Sequence, residues 1–273
     1  MNFMKRNKQV LRISMAILSN KSDIERFLRR NAALHLYELG DLDDFFFPYT
    51  TWYGHESNGQ IDSIVLMYKG TELPVLLALS DEPAGGIKEL LREISGELPD
   101  KFYCHLSPGL EKVFTGSFKL EPHGQHLKMA LSDPKMLEKA DTSGVVPLSV
   151  SDEKEILDFY ASAYPGNWFD ARMLETGQYF GLRRNGRLVS IAGIHVYSPE
   201  YRVAALGNIA TLPELRGQGL GTKVSAALCQ NLLKTVDVIG LNVLADNAGA
   251  IKCYRKLGFE DCGEYGEFMA YRN

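Results

Sequence analysis

Apolar and polar positions in the second half of this chain fall into blocks whose period switches between that of a strand and that of a helix. Residues 145–150, 179–184, 188–197, 201–210 and 238–244 are short, largely apolar runs rich in Val, Ile, Leu and Ala, bounded by turn residues, and read as strands. Two helices are predicted between the first and second of these runs, over residues 152–163 with Ser151 as cap and over residues 171–176. Further on, Leu220, Val224, Ala227 and Leu228 recur at the i, i+4, i+7, i+8 spacing of a buried helical face. Ala250, Cys253, Tyr254 and Leu257 recur at i, i+3, i+4, i+7, also a helical face, with Asn247 placed as N-cap and Gly258 as stop. Asn185-Gly186 and Ser198-Pro199 supply tight turns, and a final pair of strands is expected around Gly263 and over residues 265–271. The order is β-α-α-β-β-β-α-β-α-β-β, a mixed α/β arrangement.

The first half repeats this order with weaker signals. Residues 21–33, 86–97 and 109–115 carry helical spacing, residues 50–53, 61–69, 73–79 and 102–105 read as strands, and 118–120 with 126–131 as a closing pair. Residues 133–144 are polar and punctuated by Pro134 and Gly144, which marks a linker between a domain over 1–132 and one over 145–273. With 273 residues and 45% hydrophobic content, the chain has room for two such domains.

Charge and cysteine usage narrow the function classes. A net charge of −4 gives no electrostatic footprint for nucleic acid. Cys104, Cys229, Cys253 and Cys262 show no Cys-x-x-Cys spacing, so neither a zinc site nor a disulfide framework is expected, and a reducing, cytoplasmic setting fits. His123-x-x-His126 has no third ligand nearby, and no metal is assigned. The N-terminus is basic, but Arg12 and Ser14 interrupt the apolar stretch over 10–18, and no run approaches the ~18 residues of a membrane span.

The candidate chemistry lies in Thr211-Leu-Pro-Glu-Leu-Arg216-Gly217-Gln218-Gly219-Leu220-Gly221, a strand end leading through a glycine-rich turn into a helix. The first N–H groups of a helix lack intrahelical partners and stand at the positive end of its dipole, so the turn is built for a phosphate. A P-loop is excluded because Thr222-Lys223-Val224 follows Gly221 where Lys-Ser/Thr is required, and a dinucleotide fingerprint because the third glycine comes one place early. Arg216-x-x-Gly219-x-Gly221, preceded by Thr211-x-Pro213, resembles the pyrophosphate loop of the GNAT superfamily of acyl-CoA-dependent N-acyltransferases. The later segment from Asn247 through Ala250 and Tyr254 to Gly258-Phe259 resembles that family's Asn-x-x-Ala-x-x-x-Tyr-x-x-x-Gly-Phe block, and the likeness covers residues 145–273.

The resemblance implies a GNAT fold in the second half and acetyl-CoA as cofactor, held by Ile209, Ala210, Thr211, Arg216, Gly217, Gln218, Gly219, Leu220, Gly221, Thr222, Asn247 and Tyr254. The strand over 201–210 would part from Val238–Leu244 to admit the pantetheine. Gly207 marks either a bulge there or relief of crowding. Tyr254 is the implied proton donor to the leaving thiolate, with Asn247 either touching cofactor or serving only as N-cap. Many family members carry a glutamate base on the strand equivalent to 201–210, but no carboxylate stands there. Asn208, His195 or a water relay would have to assist, and His195 also reads as an ordinary buried histidine. Tyr164, Asn167, Trp168 and Phe169 occupy the family's acceptor region; interdomain packing explains that cluster equally, as it does the aromatic run over 45–53. In the first half the loop position holds Asp81-Glu-Pro-Ala-Gly85-Gly86, whose carboxylates would repel a pyrophosphate. That half is expected to be a degenerate second GNAT copy, or an unrelated α+β domain. The reading is an acetyl-CoA-dependent N-acetyltransferase acting on a small-molecule, amino-acid or peptide amine, monomeric or homodimeric, with no nucleic-acid or membrane partner. The alternative is a CoA-binding regulatory or structural module without turnover.

Overall fold

The computed structural model describes residues 14–57, 59–81 and 85–273. The basic N-terminal octapeptide and the centre of the acidic loop after Asp81 lie outside them. The first half contains β1 (Ser14–Leu18), α1 (Lys21–Leu28), α2 (Leu36–Gly40), β2 (Thr50–Ser57), β3 (Gln60–Tyr68), β4 (Val75–Ala78), α3 (Gly85–Ile94), β5 (Lys101–Leu106) and β6 (Phe118–Leu131). After the short α4 (Lys135–Glu138) come β7 (Val145–Pro147), α5 (Glu153–Ala163), β8 (Phe180–Arg184), β9 (Arg187–Ser198), β10 (Val203–Thr211), α6 (Leu220–Leu232), β11 (Val238–Leu244), α7 (Ala248–Lys256) and β12 (Phe259–Arg272).

All twelve strands form one mixed sheet, ordered β1-β2-β3-β4-β5-β12-β6-β11-β10-β9-β8-β7. The central four positions differ from two closing hairpins. β6 and β12 are each fourteen residues long and unbroken, and they pair antiparallel along their whole length, from Phe259↔Leu131 to Arg272↔Phe118. The second part of β6 also pairs with β11 (Gly240↔Ala130 to Leu244↔His126), while the second part of β12 pairs with β5 (Gly266↔Leu106 to Tyr271↔Lys101). Each half thus gives its last strand segment to the other half. Two strands each were expected over 118–131 and over 259–272; in the structure both segments are continuous, Gly124 taking a φ of 117° within β6 and Gly263 following a register shift in β12.

Several helices are shorter than their spacing suggests. α1 stops at Leu28 and continues as a 3-10 turn over Arg29–Asn31, and Asn31 Oδ1 accepts from Leu34 N. The expected helix over 109–115 is a 3-10 turn over Glu111–Phe114, and Ala171–Thr176 is likewise 3-10. α5 is introduced by a reciprocal Ser149–Asp152 capping box rather than by Ser151, because the Asp152 carboxylate reaches back to Ser149 N. β1 and α2 were not expected: five residues are too few to establish a period.

α2 ties the halves together. It packs with α1 between β2–β4 and residues Val196, Val203 and Ala205 of the second half. A Cβ on Gly240 would meet Leu36 at 2.9 Å, and one on Gly40 would meet Val196 at 2.2 Å. Since Gly240 faces α2, the alternating Ile239, Leu241 and Val243 face the other side, into a core with Val224, Leu228 and Tyr254 of α6 and α7.

Candidate functional site

β10 and β11 run parallel and are paired over only four positions, Val203↔Val238 to Leu206↔Leu241. Both strands continue beyond this point, so a gap opens between Gly207–Thr211 and Asn242–Leu244. On its other edge β10 resumes pairing with β9 at Ala210↔Ile191 after Gly207↔Gly193, which leaves Asn208 and Ile209 out of the ladder. Asn208 takes a φ of 53°, and Tyr160 Oη donates to its carbonyl at 2.5 Å. This bulge re-aims the backbone at the mouth of the gap.

The equivalent parallel pair in the first half is closed. β4 and β5 pair from Val75↔Tyr103 to Ala78↔Leu106, and the contact continues past the strand ends. Ser107 N donates to Ala78 O at 3.0 Å, Ser80 N to Ser107 Oγ at 2.9 Å, and Ser107 Oγ to Ser80 O at 3.3 Å.

The glycine-rich loop leaves the end of β10 and enters α6. Gly217 and Gly219 have φ of 76° and 79°, with open space around the position of a Cβ, and Gly219 is the N-cap of α6 with no side-chain hydrogen bond. The backbone N–H groups from Gly217 to Thr222 donate to no other described group, which leaves a cluster of free donors at the positive helix end. Arg216 is held beside them, its Nε donating to Thr211 O at 3.3 Å and its Nη2 to Ala163 O at 3.1 Å. Arg184 Nη1 donates to Gln218 Oε1 at 2.8 Å, and Lys223 pairs with Asp141, so three cations surround the loop. Thr211 Oγ1 shares a 2.8 Å hydrogen bond with Ser190 Oγ, and Thr222 Oγ1 lies 3.2 Å from Cys253 Sγ. Leu220 is buried as the first core residue of α6.

Asn247 caps α7, its Oδ1 accepting from Ala250 N at 3.1 Å. Tyr254 is 8% exposed and stacks obliquely on Phe259 at 6.0 Å; its hydroxyl makes no hydrogen bond among the described residues. Burial pushes its phenol well above the usual value, so it stays protonated.

The residues of the 164–169 segment divide. Asn167 locks the turn, its Nδ2 donating to Tyr164 O and its Oδ1 accepting from Phe169 N. Phe169 packs against Tyr160 and Tyr179 at 5.3 and 5.6 Å. Tyr164 and Trp168 stand outside, 44% and 70% exposed.

Asn208, by contrast, is 3% exposed and joins a chain of hydrogen bonds. Its Nδ2 donates to Tyr179 Oη at 2.9 Å, Tyr179 Oη donates to Ile194 O at 3.3 Å, and Asn208 Oδ1 lies 3.3 Å from His195 Nε2. The paired glycines Gly193 and Gly207 make room for this group: a Cβ on Gly193 would meet the Tyr179 ring at 2.1 Å, and one on Gly207 the His195 ring at 2.3 Å. Gly207 therefore marks both a bulge and a close approach. On the same face of the sheet, Asn242 Oδ1 and Glu38 Oε2 are buried without a partner among the described residues. Lys128, 2% exposed and the register partner of Asn242, lies beneath the rings of Tyr37 and Tyr265. Residues that meet only through a 12-stranded sheet leave no local pattern; the two glycines in successive strands were the one available signal.

Residues 148–259 match the sequence profile of the acetyltransferase (GNAT) family. Over 83 residues, 30% of this chain, the protein is 39% identical to the [ribosomal protein bS18]-alanine N-acetyltransferase of Escherichia coli strain K12, and the matched segment spans 54% of that enzyme, about half its length. Among solved structures, a Drosophila protein superposes with a TM-score of 0.67 at 14% identity, covering 94% of this chain and 98% of the other. A tandem GNAT protein from the clavulanic acid biosynthesis pathway superposes with a TM-score of 0.55 at 15% identity, covering 95% and 98%. The tandem GNAT fold thus extends over nearly the whole chain, first half included.

Proposed function

We propose that the C-terminal region, a GNAT acetyltransferase domain, transfers an acetyl group from acetyl-CoA directly to a primary amine of a small molecule, amino acid or peptide. The observation that carries this reading is the conjunction of the β10–β11 gap with the free N–H cluster over Gly217–Thr222 at the end of the same strand. The loop amides and Arg216 would take the pyrophosphate, and Gln218, Gly219, Leu220, Gly221 and Thr222 would bring α6 against it. The gap beside Ile209, Ala210 and Thr211 would admit the pantetheine, with Asn247 alongside and Tyr254 reaching the sulfur. When bound, acetyl-CoA supplies the activated acyl carbonyl; the chain's part is to orient it, to offer backbone donors to the developing oxyanion at the Asn208 bulge, and to protonate the thiolate from Tyr254.

The acceptor would approach on the face that carries α2, past Tyr164 and Trp168. There the first half would act as a wall through Glu38, and Glu38 Oε2 and Asn242 Oδ1, which lack a partner among the described residues, favour a polar acceptor. The related enzyme's alanine substrate makes peptides with N-terminal alanine the first acceptors to try. Among the described residues the zipped β4–β5 pair leaves no gap like that between β10 and β11, so no cofactor is assigned to the first half. The setting is taken as cytoplasmic, without metal, nucleic-acid or membrane partner, and as a monomer or homodimer; no helix among the described residues is long and apolar enough to cross a membrane.

The test is thiol release from acetyl-CoA in the presence of a panel of free amino acids, polyamines and peptides. Amine-dependent release with a matching N-acetyl product supports the enzyme. Cofactor binding without release on any amine would favour the second reading, a CoA-binding module, which the missing strand carboxylate of β10 keeps in play.

A further inference from the structure

β10 offers no carboxylate to take the proton from an attacking amine, yet a nitrogen base stands where one is needed. The ring of His195 lies over Gly207, the first β10 residue past the last β10–β11 pair, so it covers the point where the strands part. Gly207 continues the alternation of Val203 and Ala205 and faces α2. His195 and Tyr254 are therefore on opposite faces of the gap. A thioester threaded between them would meet the amine on one side and leave its sulfur on the other.

The protonation state of the ring follows from the donors and acceptors around it. In the arrangement that gives each hydrogen an acceptor, the Tyr179 hydroxyl donates to Ile194 O and accepts from Asn208 Nδ2. Asn208 then presents Oδ1 to His195, so Nε2 carries the hydrogen and Nδ1 keeps its lone pair. Nδ1 has no hydrogen bond among the described residues. From the structure we infer that His195 is the general base of the transfer, acting through Nδ1, and that Asn208 and Tyr179 are positioning residues that fix its tautomer. This rests on the acetyltransferase reading above. In the step, the amine nitrogen forms the C–N bond to the acyl carbon as its proton passes to Nδ1; the C–S bond breaks and the thiolate takes the Tyr254 proton. Solvent then restores Tyr254 and deprotonates the imidazolium.

Burial lowers the His195 pKa below its ordinary value of about 6.5, against the Asn208 hydrogen bond, which raises it. Among the described residues no charged group is paired with it. Of the elements packed on β9, α2 and its C-cap bring Glu38, hydrogen-bonded to His35, and Asp41; the 3-10 turn brings Glu175 and Arg172, which pairs with Asp170; α5 brings Glu155, which pairs with Arg183 on β8; α6 brings Lys223, which pairs with Asp141. None bonds to the ring. The neutral base is therefore the dominant form at pH 7.

Two measurements test this. In the first, kcat/KM is followed from pH 5 to 9 in the wild-type protein, His195→Gln and Asn208→Asp, with the acetyl-CoA Kd measured alongside. The wild type should rise through a single ionisation below 6.5 and then level off. His195→Gln should lose on the order of 10²-fold at pH 7 along with that ionisation, while its acetyl-CoA Kd stays within about threefold. Asn208→Asp places a carboxylate on Nε2–H, which favours the imidazolium and should move the ionisation to higher pH. Retained activity or a retained ionisation in His195→Gln overturns the assignment but leaves the acetyltransferase intact. Should no amine be acetylated by the wild type, that reading fails instead, and the second measurement still decides the geometry. Nitrogen-15 NMR of the histidine rings should show His195 as the Nε2–H tautomer with a pKa below 6.5; an Nδ1–H tautomer or a pKa above 6.5 overturns the inference whatever the activity.

Discussion

The Tyr254 hydroxyl makes no hydrogen bond among the described residues, which leaves it available to a ligand. Removing it should cost the fold little, because no hydrogen bond is broken and the ring remains to pack on Phe259. Tyr254→Phe is expected to unfold within about 1 kcal/mol of the wild type in urea and to bind acetyl-CoA within about threefold, while turnover drops on the order of 10²-fold. Turnover equal to that of the wild type would take Tyr254 out of the chemistry. Gly207 has the opposite character, since any side chain there meets the His195 ring at 2.3 Å. Gly207→Ala should destabilise by about 1–3 kcal/mol through forced repacking and should also depress activity by displacing the ring. A variant as stable and active as the parent would mean that the ring has room to move.

At the scale of elements, the loop and α6 stand or fall with two left-handed glycines. Gly219→Val forces a β-branched residue to a φ of 79°, which costs about 1–2 kcal/mol locally, and it sets a side chain among the free amides. Acetyl-CoA affinity should fall by at least 10-fold while the melting temperature drops only a few degrees; unchanged affinity would place the pyrophosphate elsewhere. This part of the site was legible in the sequence because it is local: one strand end, one turn and one amphipathic helix, contiguous from Thr211 to Leu232. The strands on either side were equally legible, since 201–210 and 238–244 are largely apolar runs. The continuous β6 and β12 were not, because their glycines and polar residues interrupt the apolar pattern of segments that run straight through, so each was expected as two strands. Their pairing is decided by strands more than a hundred residues away. The Asn208–His195–Tyr179 group was hidden for the same reason: its members meet across two bulges whose register no spacing encodes.

The exchanged strands make the two halves one folding unit. Without the first half, β11 loses its neighbour β6, and Tyr265 and Ala270 of β12, both buried, lose their surroundings. Residues 143–273 expressed alone should lack a cooperative thermal transition, and co-expression with residues 1–142 should restore one; a fragment that melts cooperatively by itself would contradict this dependence. The junction also carries a pH signature. Burial holds His105 on β5 down to about 4, against the attraction of Glu267 on β12. Its neutral form is thus favoured in the folded state, so this contribution is complete above the unfolded value of about 6.5 and is lost as pH falls from there toward 4. Each pH unit in that window costs up to about 1.4 kcal/mol, and His105→Phe should flatten the dependence of melting temperature on pH. An equally steep variant would assign the acid sensitivity to other groups. The most direct test of the whole account is a calorimetric titration with acetyl-CoA, with ATP as control. One open gap and one zipped one predict a single acetyl-CoA site per chain and no comparable affinity for ATP. Two equivalent sites, or none, would contradict the account.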